Sequence, residues 1–178
     1  MRESELSFVQ DRLRTAPIDV VGIIEDLGIE YEEKPMPPGV DGRIDFNGGS
    51  CKITVNSEQS RQRKNFTAAH ELAHYLLHRD LLEERGHLDR LFDAPTAANP
   101  SEPFRPSHEV QANKLAAQIL MPREAVLSEM VWQDYDLQKI SRMFAVSPQA
   151  MEIRLKTLGI DLEGERQREL RGEFNVRV

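Results

Sequence analysis

Apolar residues recur along the chain in short groups whose spacing switches between the helical and the strand period. In "SELSFVQDRLR", Leu6, Val9 and Leu13 share one helical face, which predicts a short helix. "APIDVVGIIEDLGI" predicts a second, with Pro17 as a start signal and Gly28 as a stop signal. Residues 29–33 read as a strand. "KPMPPGVDG", with three prolines and two glycines in nine residues, is a loop. "RIDFNGGSCKITV" predicts a β-hairpin: Ile44 and Phe46 alternate with polar neighbours, as do Ile53 and Val55, on either side of the turn "NGGS".

"NSEQSRQRKNF" leads into a long helix, with Ser57 and Ser60 as candidate N-caps. From Glu83 to Pro106 the periodicity fades, and "DAPTAANPSEPFRP" carries four prolines. A loop bordering a site is expected there. "SHEVQANKLAAQILMP" predicts the next helix, with Ser107 as N-cap and an apolar stripe of Ala112, Leu115, Ala116, Ile119 and Leu120. "MPREAVLSEMVW" restarts a helix with Pro122 at its first position. "DLQKISRMFAVSPQAMEIRLKTLG" reads as two helices split at "AVSP". Ser147 is the N-cap of the second, and Ile140, Phe144, Val146, Met151 and Leu155 form a small core. The expected fold is α+β, mostly helices around a small antiparallel sheet. Residues 1–160 read as one domain, with a helix-turn-helix-like subregion at 135–160. Residues 161–178 read as a charged, mobile tail.

Composition narrows the class. Apolar residues make up 39% and charged residues 30% of the 178, which suits a globular chain with a real core. The net charge of −7 argues against general affinity for a nucleic acid backbone. In the recognition-like second helix of the C-terminal pair, Arg154 and Lys156 are the basic residues and Glu152 opposes them, so protein docking is expected there rather than DNA reading. The single cysteine, Cys51, cannot form an internal disulfide, and the start has no apolar core of signal-peptide length. The expected setting is the cytoplasm, with no membrane contact.

The candidate chemistry lies in "AAHELAHYLLH", residues 68–78. Side chains four apart stand one turn apart on one helical face, so His70 and His74 can direct two imidazoles at one ion. Glu71 is placed to hold the attacking water and take its proton. That is the arrangement of metal-assisted hydrolysis. A shuffled chain of this composition matches the pattern about one time in seventy. Helical context and apolar neighbours on several sides raise the metal reading above that chance. His78 is a further turn along, too far for one ion to take all three histidines, and is expected to play a supporting role.

A catalytic zinc site takes a third protein ligand. Asp80, Glu83, Glu84, His87, Asp89, Asp93, Glu102, His108 and Glu109 are downstream candidates. Glu109 stands out in the first turn of a strongly patterned helix, with Asn113 one turn on as a residue that could hydrogen-bond a ligand. The ordinary preference of acids for helix starts also accounts for an isolated Glu there, so spacing leaves the choice open. For the oxyanion, Tyr75, His78, His108, Arg63 and Arg105 are candidates, and the sequence does not choose among them.

"RQRKNFTAAHELAHYLLH", then "EVQANKLAAQILMP", then "AVSPQAMEIRLKTLG" together resemble the ImmA/IrrE family of metallopeptidases. The resemblance runs from about Pro17 to Gly159. It implies a zincin-like domain in which His70 and His74 are metal ligands, Glu71 is the general base and Glu109 is the third ligand. Gln111 departs from the family, where many members have a second Glu, and leaves Glu109 as the block's one carboxylate. One Zn2+ per chain is the implied ion, ahead of Mn2+. The implied substrate is a helix-turn-helix repressor or antitoxin, whose cleavage would control a stress response, a mobile element or a toxin–antitoxin operon. The alternative is a regulatory or toxin protein that docks on a repressor or on DNA without cutting. A pure binding module needs no general base, so Glu71 among the ligands favours the enzyme.

Overall fold

The computed structural model describes residues 3–14, 16–47, 49–92 and 104–172. The hairpin is formed by β2 (Gly42–Asn47) and β3 (Ser50–Asn56), with Ile44 opposite Ile53 and Phe46 opposite Cys51. Strand β1 (Glu30–Lys34) pairs parallel to the other edge of β3, with Tyr31 opposite Ile53. The sheet order is β1-β3-β2. The sheet is therefore mixed, which corrects the expectation of an antiparallel one. Alternation tells which residues share a face, but not where a strand finds its neighbour. Here the proline-rich loop carries the chain from one edge to the other, and β3 returns up the middle beside β1. Buried Asn56 fastens that loop: its amide donates to the Val40 carbonyl (3.1 Å) and its backbone N–H to the Asp41 carbonyl (2.7 Å).

Helix α1 spans Glu3–Arg12 and α2 spans Val20–Asp26. Asp19, not Pro17, caps α2 by accepting from the Gly22 N–H, and Gly28 ends it at φ +75°. Helix α3 (Arg61–Phe92) starts after Ser60, whose hydroxyl accepts from the Arg63 N–H (3.3 Å). It continues well past Glu83, where a loop was expected. "EERGHLDRLF" is rich in straight-chain and leucine residues that favour helix without needing an apolar stripe. Residues 93–103 of the expected site-bordering loop lie outside the described residues.

Helix α4 (Pro106–Leu120) begins one residue before the expected cap, with Pro106 at its first position. Ser107 is thus inside the helix, and the Arg105 N–H donates instead to His108 Nδ1 (3.1 Å). Helices α5 (Arg123–Trp132), α6 (Leu137–Met143) and α7 (Pro148–Leu158) follow, with Ser147 capping α7 as expected. The segment read as a tail begins with α8 (Leu162–Leu170). Leu162 packs on the core and Tyr135 lies beside Glu169, so tertiary contacts fix an element that weak periodicity hid. Among the described residues, no helix is long and apolar enough to cross a membrane.

The core joins α2, the sheet, α3 and the C-terminal helices. Ala68, Ala69 and Ala73 on α3, with Ala112 and Ala116 on α4, are all buried. Such small side chains let backbones pack closely. This spacing sets what the polar residues between the two helices can reach.

Candidate metal centre

His70 and His74 lie on α3, one turn apart, and face the first turn of α4. Their Nε2 atoms are 3.0 Å apart. Glu109 reaches across from α4, with Oε2 3.2 Å from His70 Nε2 and Oε1 3.5 Å from His74 Nε2. Among the described residues, these three form the group able to offer one ligand atom each within 4.8 Å of one another. Tetrahedral ligand atoms bonded to zinc at about 2.0–2.1 Å stand about 3.3 Å apart, and the observed separations bracket that value.

Electrostatics makes the same demand. Burial holds the His74 imidazole down to about 3, reinforced by His70, His78 and His108, and burial also lowers His70 against the pull of Glu109 and Asn113. Both rings are therefore neutral at ordinary pH, the form that ligates a metal. Two neutral imidazole nitrogens and a carboxylate oxygen at these distances suit a shared cation, and a ring N–H can bridge the same contacts. The Nδ1 atoms of His70 and His74 are buried with no hydrogen-bond partner among the described residues, so no described carboxylate or carbonyl orients the rings from behind. Packing does that work instead. Phe104 lies face-on over His74 (ring centroids 3.8 Å, 18° between planes). Phe104 went unnoticed in the sequence. Its signal was faint: a lone aromatic residue within a polar, proline-rich run.

Glu71 is buried beside the ligands, against β2. A Cβ on Gly42 would stand 3.6 Å from its Oε1, so β2 passes in contact range of the carboxyl group. Burial, with the Glu109 and Asp45 charges, pushes Glu71 up to about 8.

The supporting residues divide. Asn113 lies near enough to His70 to raise its ionisation against the effect of burial. His78 is buried at a break in α3 (φ −128°, ψ 25°) and its Nε2 donates to the His108 carbonyl (3.3 Å), next to Glu109. It thereby holds the start of α4 in place. Of the oxyanion candidates, Arg63 is paired with Asp41 (Nε to Oδ2 2.8 Å) and Tyr75 is buried against Arg79 and Glu5. His108 Nδ1 is occupied by the Arg105 N–H, and Arg105 is exposed. Of the other third-ligand candidates, Glu83 pairs with Arg79 (2.9 Å), Asp80 is exposed, and Asp93 and Glu102 lie outside the described residues.

A family model described as the IrrE N-terminal-like domain, a peptidase family, matches residues 24–156. The chain belongs to this family. The three sequence blocks that carried the ImmA/IrrE resemblance all fall within or across the matched residues. Among solved structures, a Mycobacterium tuberculosis transcriptional regulator is similar, with a TM-score of 0.55 and 19% identity over 85% of this chain and 45% of its own. That likeness is one of fold, and the chain spans less than half the length of that regulator. No curated protein matches the chain. Membership supports a metallopeptidase-like, regulatory role.

The helix-turn-helix-like pair of this IrrE-like chain, α6 and α7, has the expected core, with Ile140, Phe144, Val146, Met151 and Leu155 buried. Arg154 turns inward, where its Nε donates to the Met121 carbonyl (2.9 Å). Lys156 pairs with Glu152 (2.8 Å). Both cations of α7 are thus engaged within the chain.

Proposed function

We propose that this chain is a zinc-dependent endopeptidase, with a domain spanning residues 1–160, that cleaves a specific protein substrate in the cytoplasm. His70, His74 and Glu109 hold the ion, Glu71 is the general base, and Asn113 and His78 support the ligands. The observation that carries this reading is the convergence of three ligand atoms from two helices, with Glu71 buried beside them. When bound, zinc would polarise the scissile carbonyl and lower the pKa of water so that it can be deprotonated to a nucleophile. Glu71 takes the proton from the attacking water and delivers it to the leaving amine. Its burial beside the ligands shields that proton from bulk solvent.

The proposed substrate is a helix-turn-helix repressor or antitoxin, on the strength of the ImmA/IrrE membership. The test is to incubate such a repressor, taken from a gene neighbouring this one, with zinc-loaded wild type and with Glu71→Gln. Cleavage by wild type alone is expected. An intact repressor with both proteins, at one zinc per chain, would overturn the proteolytic reading.

A further inference from the structure

A groove of about 950 Å³ lies beside the metal centre, between the start of α3, the outer side of α4 and helix α7. Two of its lining residues also touch the centre. Phe66 stacks near the His70 ring (centroids 6.3 Å), and Asn113, one turn along α4 from Glu109, lies close to His70. The groove therefore runs from the metal ligands to the helix-turn-helix-like pair. Ile153 of α7 lines it while 59% exposed, a large apolar side chain with little cover.

Its charge is opposite to that of the chain. Among the described residues, Arg63, Lys114 and Arg154 line the groove and no acidic residue does, although the chain carries −7 overall. Arg63 is held by Asp41 and Arg154 by the Met121 carbonyl. Lys114 is exposed and has no ion-pair partner among the described residues. The wall thus offers apolar surface around one available ammonium group. A nucleic acid backbone needs several free cations along a track. A peptide that buries an apolar side chain and sets a carboxylate near Lys114 matches what is there.

We propose that this groove receives the polypeptide substrate on one side of the scissile bond and selects a segment whose apolar side chains are flanked by acidic residues. The proposal rests on the peptidase reading above and adds the substrate class. Phe66 and Ile153 take the apolar side chains, and Lys114 pairs with a flanking carboxylate.

The test uses the full zinc-loaded chain carrying Glu71→Gln, so that nothing is cut. The probe is a fluorescein-labelled peptide with Leu-Phe between pairs of glutamates, beside the same peptide with lysines for glutamates, followed by anisotropy. Saturable binding of the acidic peptide is expected. It should weaken about tenfold or more with either Lys114→Glu or Ile153→Asp, and the lysine peptide should not bind. Zinc content, measured on every sample, should stay at one per chain. Indifference of binding to both substitutions, with zinc retained, would overturn the groove proposal and leave the peptidase reading standing. Failure of the parent chain to take up zinc would remove the peptidase reading and the proposal with it. Displacement of the peptide by duplex DNA, or dimerisation in sedimentation that Ile153→Asp abolishes, would assign the groove to another occupant and also overturn it.

Discussion

Oε2 of Glu109 stands 3.2 Å from Nε2 of His70, joining the first turn of α4 to the middle of α3. An ion held by both helices clamps them together, because the folded chain binds it and the unfolded chain largely does not. Zinc at a hundredfold excess over its dissociation constant adds about 2.7 kcal/mol of stability. For a chain of this size that is roughly 5–10 °C in Tm. Thermal unfolding with and without a chelator measures it. Glu109→Ala should shrink the difference, and His74→Ala should abolish it. An unchanged wild-type Tm on chelation would count against the site.

Glu71 makes the metal-free protein sensitive to pH. Its folded-state pKa of about 8 lies above the ordinary 4.5, so the folded chain keeps a proton that the unfolded chain releases. The sign follows: this contribution is full below pH 4.5 and is lost as pH rises toward 8. In chelator, wild type should lose on the order of 2 kcal/mol relative to Glu71→Gln between pH 6 and 8. Parallel urea denaturations at the two pH values read the difference directly. Curves that move together in the two proteins would show that Glu71 ionises freely when folded.

At Gly42, β2 passes close against α3. A Cβ there would come within 2.4 Å of Thr67 Cγ2 and 3.0 Å of the Thr54 carbonyl, both in buried residues. Gly42→Ala should cost about 1–3 kcal/mol, the usual penalty for overpacking. It should also disturb Glu71 through Thr67, which lies one turn before it on α3 and must move. The expected pattern in urea unfolding and peptidase assays is lowered stability together with lowered turnover, at unchanged zinc content.

His78 binds no ion in this arrangement, yet it fixes the residue before Glu109. His78→Ala should weaken zinc affinity roughly tenfold, as loss of an orienting partner usually does. Competition with a chromophoric chelator gives the number. Affinity equal to wild type would mean that packing alone positions Glu109.

The sequence by itself determined much of this protein. Alternation at Ile44, Phe46, Ile53 and Val55 announced the hairpin. The i, i+4 pair His70 and His74, with Glu71 between them, announced the candidate metal centre, since both depend on spacing within one element. Ser147 and Gly28 marked real helix ends because caps and left-handed stops are local. Tertiary structure decided what spacing cannot carry. The parallel pairing of β1 depends on how the proline loop crosses the sheet. Helix α8 depends on contacts made by Leu162 and Tyr135. The approach of Glu109 to His70 depends on buried alanines that bring α3 and α4 close, and the Phe104 ring over His74 on a segment that has no periodicity to read. Local rules fix how a stretch of chain folds on itself. The partners that complete the site come from distant stretches, and only packing brings them together.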